Sequence, residues 1–146
     1  MASIRREMVL ACSPEHAWEA LRDFGALHTR LAPGFVTDTR LDGNDRIVTF
    51  FTGTVLREVL IDRDDEARRL AWSIVDAPYT HHNGVAQVFA EPDGATRFVW
   101  TTDLLPDEIA GQTAEMMDRG MAVMKQTLER VDVDVSPGGA ATAARA

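Results

Sequence analysis

The stretch that most constrains this chain is its last helical run, from about Pro106 to Val131, which follows roughly seventy residues that read as strands. Met117, Met121, Met124, Leu128 and Val131 recur at the three-and-four spacing of one helical face, with Met116 and Gly120 beside them. A single helix laid across a strongly curved antiparallel sheet can enclose a space rather than fill it. Methionine, unbranched and polarizable, adapts to irregular or variable contents. The same stripe would serve ordinary core packing, so periodicity alone leaves both readings open.

At 146 residues the chain is long enough for one domain with its own core. We expect that domain to cover residues 1–135, and a disordered tail to follow over 136–146, where the sequence turns to Ser-Pro-Gly-Gly and alanine. Apolar residues make up 45% of the chain, yet no run is long enough to span a membrane. The opening Met-Ala-Ser-Ile-Arg-Arg-Glu lacks the apolar stretch of a secretory signal, so a cytoplasmic location is expected. A net charge of −8 argues against nucleic acid and anionic membrane surfaces as partners, since both favour basic patches. The single cysteine, Cys12, excludes an internal disulfide and reads as a small buried hydrophobe.

Residues 4–12 alternate, with Ile4, Met8, Leu10 and Cys12 on one face and Arg5, Glu7 and Val9 on the other, which predicts a first strand. Ser13-Pro14-Glu15 then opens a helix: serine caps, proline fits the first turn, and the acid suits the positive end of the dipole. Ala17, Trp18, Leu21 and Phe24 give it an apolar face, Gly25 breaks it, and a short second helix is expected over Ala26 to Leu31. Period-two stretches at 35–41, 46–52, 54–62, 68–76, 81–91 and 96–104 predict six further strands. Turns at Asp42-Gly43-Asn44, Thr52-Gly53, Asp64-Asp65-Glu66 and Pro92-Asp93-Gly94 make sequential neighbours antiparallel. The sum is an α+β chain: a curved antiparallel sheet of about seven strands, two short helices after the first strand, and one long C-terminal helix.

Several short patterns recur in this order. They are Ser13-Pro14 leading to Ala17-Trp18 and Leu21, Phe24-Gly25, Leu31-Ala32-Pro33-Gly34, and Arg57-Glu58 before Asp64-Asp65. Arg69-Leu70 with Trp72-Ser73-Ile74, then Trp100-Thr101 and Leu105-Pro106, complete the set. On these residues, spread over roughly 4 to 131, the chain resembles the START-like superfamily, also called SRPBCC or birch-pollen-allergen-like. More narrowly it resembles its bacterial polyketide cyclase/dehydrase-type proteins. The resemblance implies a helix-grip fold with a central cavity, open near the loops around Gly53 and Pro78, that takes hydrophobic molecules. Carriers, receptors and enzymes share this fold, so the family alone does not name an activity.

Glu58 stands mid-strand, and because neighbours point to opposite faces, either Arg57 or Glu58 faces inward, not both. In the plant hormone receptors of this fold a glutamate in a similar setting lines the cavity, and the resemblance implies that role for Glu58. A carboxylate enclosed by apolar walls holds its proton more tightly than in water and can act as a general acid or base. The lysine that anchors a ligand carboxylate in those receptors is missing, with Thr37 near its position, which argues against acid hormones. Pro78-Tyr79-Thr80-His81-His82 sits where the family has a mobile loop leading into a strand. Neighbouring histidines diverge on a strand, and no Cys or third His is spaced to join them, so no metal is expected. His82 is the one expected to face the cavity, as acid/base or hydrogen-bond donor, and Tyr79 joins it as a candidate. Trp72 and Ile74 alternate inward, Trp100 shares a face with Phe98, and a bulge would turn Asp103 inward instead. With Met116, Met117, Gly120 and Met124 these form the expected ligand wall.

No nucleophile elbow surrounds Ser13 or Ser73, no phosphate loop or dinucleotide fingerprint occurs, and no cofactor is expected. Three functions fit. One is a polyketide cyclase/aromatase-like enzyme in which Glu58, His82 or Tyr79 moves protons. The others are a non-catalytic lipid or quinone carrier or sensor, and a protein-interaction module; a homodimer is compatible with all three. An enzyme needs polar groups converging in the cavity. A carrier needs volume and a gate, and a module would show a collapsed cavity with an exposed apolar patch.

Overall fold

The computed structural model describes residues 1–135, with side chains through Arg130; the expected tail over 136–146 and the side chain of Val131 lie outside the described residues. Strand β1 (Ala2–Leu10) leads to helix α1 (Pro14–Arg22), and a 3₁₀ turn (Phe24–Ala26) passes into a single π-turn (Leu27–Leu31). Six strands follow: β2 (Val36–Asp42), β3 (Asp45–Phe50), β4 (Val55–Asp64), β5 (Arg69–Ile74), β6 (His81–Ala90) and β7 (Thr96–Leu105). A 3₁₀ turn (Asp107–Ile109) then starts helix α2 (Ala110–Val135). All seven expected strands form, within a few residues of their expected limits.

The helices differ in detail from expectation. Ser13 does cap α1, its side chain accepting from the His16 N–H at 3.0 Å. The helix stops at Arg22, so Phe24 belongs to the following turn rather than to the α1 face. In place of a regular second helix, the Ala32 N–H reaches back to the Leu27 carbonyl at 2.8 Å, closing the wider π-turn. Helix α2 begins four residues after Pro106, because Asp107–Ile109 make a tighter turn first.

The sheet is antiparallel throughout, in the order β1-β7-β6-β5-β4-β3-β2. Strands β2 to β7 form the expected meander, and β1 returns to pair with β7. Register shifts at Val36/Asp38 in β2 and at Leu60/Asp62 in β4 each leave one extra residue, which bends the strand. Facing residues on the inner side alternate in size: Trp72 stands opposite Gly84, and Trp100 opposite Ala86. A Cβ on Gly84 would lie 2.8 Å from the Trp72 indole, so the absent side chain is what lets that ring lie flat on β6.

Two apolar clusters hold the helix to the sheet. The larger gathers Leu10, Trp18, Leu21, Phe24, Leu70 and Phe98 around α1 and the later turns of α2, with Met121, Met124 and Leu128 packed in. The smaller sets Met117 against Ile4 and Leu104 near the start of α2. The helix is thus gripped towards both ends. Among the described residues no helix is long and apolar enough to cross a membrane.

Candidate ligand-binding cavity

Between sheet and helix lies a cavity of about 500 Å³. It is lined from both clusters, by Leu21, Trp72, Phe98 and Met124 from one and by Met117 and Tyr79 from the other. Its mouth is marked by exposed lining residues: Thr52 and Thr54 of the β3–β4 loop, Pro78 of the β5–β6 loop, and Gln112, Glu115 and Arg119 of α2.

A polar row crosses the inner face of the sheet. Arg46 on β3 stands opposite Glu58 on β4, and Glu58 opposite Ile74 on β5. The Ile74 N–H donates to Nδ1 of His82 on β6 at 3.0 Å, which continues the row to a fourth strand. Directly opposed residues in antiparallel strands share a face, so all four side chains point inward. Arg46, Glu58 and His82 are buried, at 4%, 4% and 6% exposure.

Arg46 is a charged cavity-lining residue that sequence reasoning missed. Its Nε and Nη2 both lie 2.8 Å from Glu58 Oε1, and Nη1 donates to the Phe24 carbonyl at 3.2 Å. Its guanidinium also stacks 3.9 Å from the Phe24 ring centroid. Burial pulls the guanidinium below its ordinary value while Glu58 opposes the change, and arginine stays charged in any case. The expectation of a carboxylate among apolar walls alone is therefore corrected: Glu58 faces inward, but as half of an ion pair. Arg57 points the other way, between Asp42 and Asp45 at 2.9 and 2.7 Å.

His82 faces the cavity and His81 is exposed, as alternation requires. Burial first, and the neighbouring His81 second, pull its pKa down to about 4. The imidazole is neutral near pH 7, and because Nδ1 accepts from the backbone, Nε2 carries the proton. His82 is thus a fixed donor. Tyr79 packs edge-on against it with ring centroids 5.0 Å apart. Its hydroxyl bonds Thr113 Oγ1 of α2 at 2.8 Å, and burial and then Glu58 raise the phenol, leaving it protonated. On β7, Thr102 Oγ1 and Trp100 Nε1 are buried without a hydrogen-bond partner among the described residues.

Of the expected ligand wall, Trp72, Trp100, Met116, Met117 and Met124 line the cavity. Three residues do not. The β6–β7 register runs unbroken, so no bulge turns Asp103 inward; it lies on the outer face and accepts from Ser3 Oγ at 2.5 Å. Ile74 is buried on the inner face, but Glu58 and His82 on the adjoining strands flank it and line the space instead. Gly120 lies behind the wall, where a Cβ would come within 3.2 Å of Phe35 and 3.3 Å of Trp100, so it allows those rings to approach α2. Thr37 is the extra residue of the β2 bulge and is exposed, bonding the Thr49 carbonyl rather than facing a ligand.

Over residues 1–135 the sequence matches the family described as polyketide cyclase/dehydrase and lipid transport. The chain belongs to this family. No curated protein matches it in sequence. Its fold is similar to that of XoxI from Bacillus cereus, at 22% identity and a TM-score of 0.78, with 92% of this chain and 98% of that one covered. A solution structure from Thermobifida fusca is similar at 30% identity and a TM-score of 0.73, covering 88% of this chain and 91% of that one. The norcoclaurine synthase of Thalictrum flavum, a point mutant bound to a transition-state analogue, is similar at 19% identity and a TM-score of 0.69, covering 90% and 94%. This polyketide cyclase/dehydrase-family chain thus has the helix-grip fold, a ligand-binding architecture.

Proposed function

We propose that this chain binds a small hydrophobic or aromatic molecule in the central cavity and acts on it as a cyclase or aromatase does. One observation carries the reading: Glu58 from β4, His82 from β6 and Tyr79 from the loop between β5 and β6 all line one mostly apolar space. In an aldol closure, a carbon between two carbonyls loses a proton to the Glu58 carboxylate and attacks a second carbonyl carbon. The oxygen of that carbonyl gathers charge as the C–C bond forms. The Nε2–H of His82 and the hydroxyl of Tyr79, both neutral donors, suit that charge. Folding of the chain by the walls supplies most of the acceleration, since the substrate is already reactive.

A carrier or sensor is the second reading, favoured by the bonds the polar groups already make: Arg46 occupies Glu58 Oε1, and Ile74 N–H occupies His82 Nδ1. The interaction-module reading called for a collapsed interior, which a hollow of about 500 Å³ does not support.

Native mass spectrometry of the purified chain, followed by extraction, tests binding: an apolar adduct is expected. Protein that is always unliganded and fails to enhance the fluorescence of a polarity-sensitive naphthalene dye would end the binding reading. Incubation with a synthetic poly-β-ketone separates the two versions. Cyclised product formed by the wild type and reduced at least about a hundredfold in Tyr79→Phe/His82→Gln supports catalysis; equal background rates with and without protein leave a carrier.

A further inference from the structure

The two donors of Arg46 that reach Glu58 converge on one oxygen, Oε1. Among the described residues no donor reaches Oε2, although Glu58 is only 4% exposed and lines the cavity. That carboxylate oxygen is therefore left for whatever occupies the cavity that Glu58 lines. A ligand that donates to a charged acceptor on the wall of an enclosed, mostly apolar space gains more than it would at a surface.

The partner of Oε2 is limited by charge. Arg46 and Glu58 together are neutral, and the guanidinium is further engaged by the Phe24 carbonyl and ring. An anionic ligand would meet the carboxylate and be repelled. A cationic one would leave an uncompensated positive charge in an apolar hollow. A neutral O–H meets neither penalty. On the far side of Ile74, His82 offers the complementary group, an Nε2–H fixed by the backbone bond to Nδ1. Strands β4 and β6 are two strand spacings apart, about 9 to 10 Å at the backbone, so donor and acceptor belong to different parts of the ligand.

We propose that the cavity selects an uncharged hydroxylated aromatic molecule, whose phenolic or enolic O–H donates to Glu58 Oε2 while a second oxygen accepts the Nε2–H of His82. This assignment rests on the ligand-binding reading above and specifies its chemistry; the phenol left by an aromatising cyclisation is one such molecule. The apolar remainder lies between Trp72, Trp100 and the methionines of α2.

Calorimetric titration of the full chain at neutral pH with 2-naphthol, 2-methoxynaphthalene and 2-naphthoate is the test. The naphthol is expected to bind about ten- to a hundredfold more tightly than the ether or the carboxylate, the range for one hydrogen bond to a buried charged group. The charge-free double variant Arg46→Met/Glu58→Leu should bring naphthol and ether to within about twofold of each other. Should that variant not fold, the wild-type ratios decide alone. Equal binding of naphthol and ether, or tighter binding of naphthoate, overturns the selectivity while leaving a ligand cavity. No binding of any of the three overturns both.

Discussion

The two walls of the cavity are built on opposite terms. On the sheet, Arg46, Glu58, Ile74 and His82 occupy one transverse row, and strand register holds each within reach of the next. On the helix, Met116, Met117 and Met124 present flexible thioethers that make no directional bond. A wall fixed by register can recognise a particular arrangement of donors and acceptors. A wall of methionine accommodates whatever shape is attached to them. The pairing suits a site that is strict about polar groups and tolerant of apolar outline.

The largest effect should come from breaking the row at its ion pair. Glu58→Leu leaves the Arg46 guanidinium buried without its carboxylate, and a loss of about 3–5 kcal/mol in urea unfolding is expected. Arg46→Met/Glu58→Leu removes both charges and should recover to within about 1 kcal/mol of the wild type. On the outer face of the same hairpin, Asp45→Ala removes a partner of Arg57 at 2.7 Å that sits near solvent, and less than about 1 kcal/mol should follow. Equal losses at Glu58 and Asp45 would show that the inner row is not the buried site described above.

His82 gives the next effect, through pH. Its folded pKa of about 4 lies below the ordinary 6.5, so between those values the unfolded chain binds a proton that the folded chain does not. Stability should therefore be full above pH 6.5 and fall by up to about 3 kcal/mol as pH drops to 4, and His82→Gln should flatten that window. Two paired carboxylates also favour the folded state above acid pH: Arg22 and Trp18 hold Asp65 below its usual range, and the Ala11 N–H and Lys125 do so for Glu129. Their contribution is present above the ordinary carboxylate values and is lost only at more acid pH. A wild-type curve that is flat from pH 6.5 to 4 would mean that His82 protonates freely and faces water.

Gly84 sharpens the sheet side at smaller scale. A methyl there would sit 2.8 Å from the Trp72 indole, which has to swing inward. Gly84→Ala should cost about 1–3 kcal/mol and weaken 2-naphthol binding, whereas Gly111→Ala on α2, with open space at its Cβ, should leave binding unchanged.

The strands were legible because alternation and turn residues are local. The inward direction of His82 and Trp72 followed from parity alone. Glu58 and Arg57 could not be separated that way, since parity fixes only that they differ. The deciding signal was also in the chain: the turn at Thr52-Gly53 pairs position 46 with 58, so an arginine and a glutamate share one face of a hairpin. Asp103 depended on a bulge, and β7 has none. Unpaired Oε2, the Nδ1 acceptor of His82 and the cavity itself arise from contacts between distant segments, which no local pattern encodes.

The smallest effect is expected on the helix wall, and it distinguishes the walls most sharply. Met116→Leu and Met124→Leu conserve volume and polarity, so each should change stability by less than about 1.5 kcal/mol. Leucine branches earlier and has fewer rotatable bonds, so the double variant should still bind 2-naphthol but lose affinity for a bulkier tricyclic phenol. Both phenols place the same O–H on Glu58 Oε2, so the ratio of their affinities isolates the adaptability of the helix from the recognition by the sheet. If the ratio is unchanged, the thioethers are ordinary packing, and the tolerance for ligand shape has to come from the β3–β4 and β5–β6 loops at the mouth.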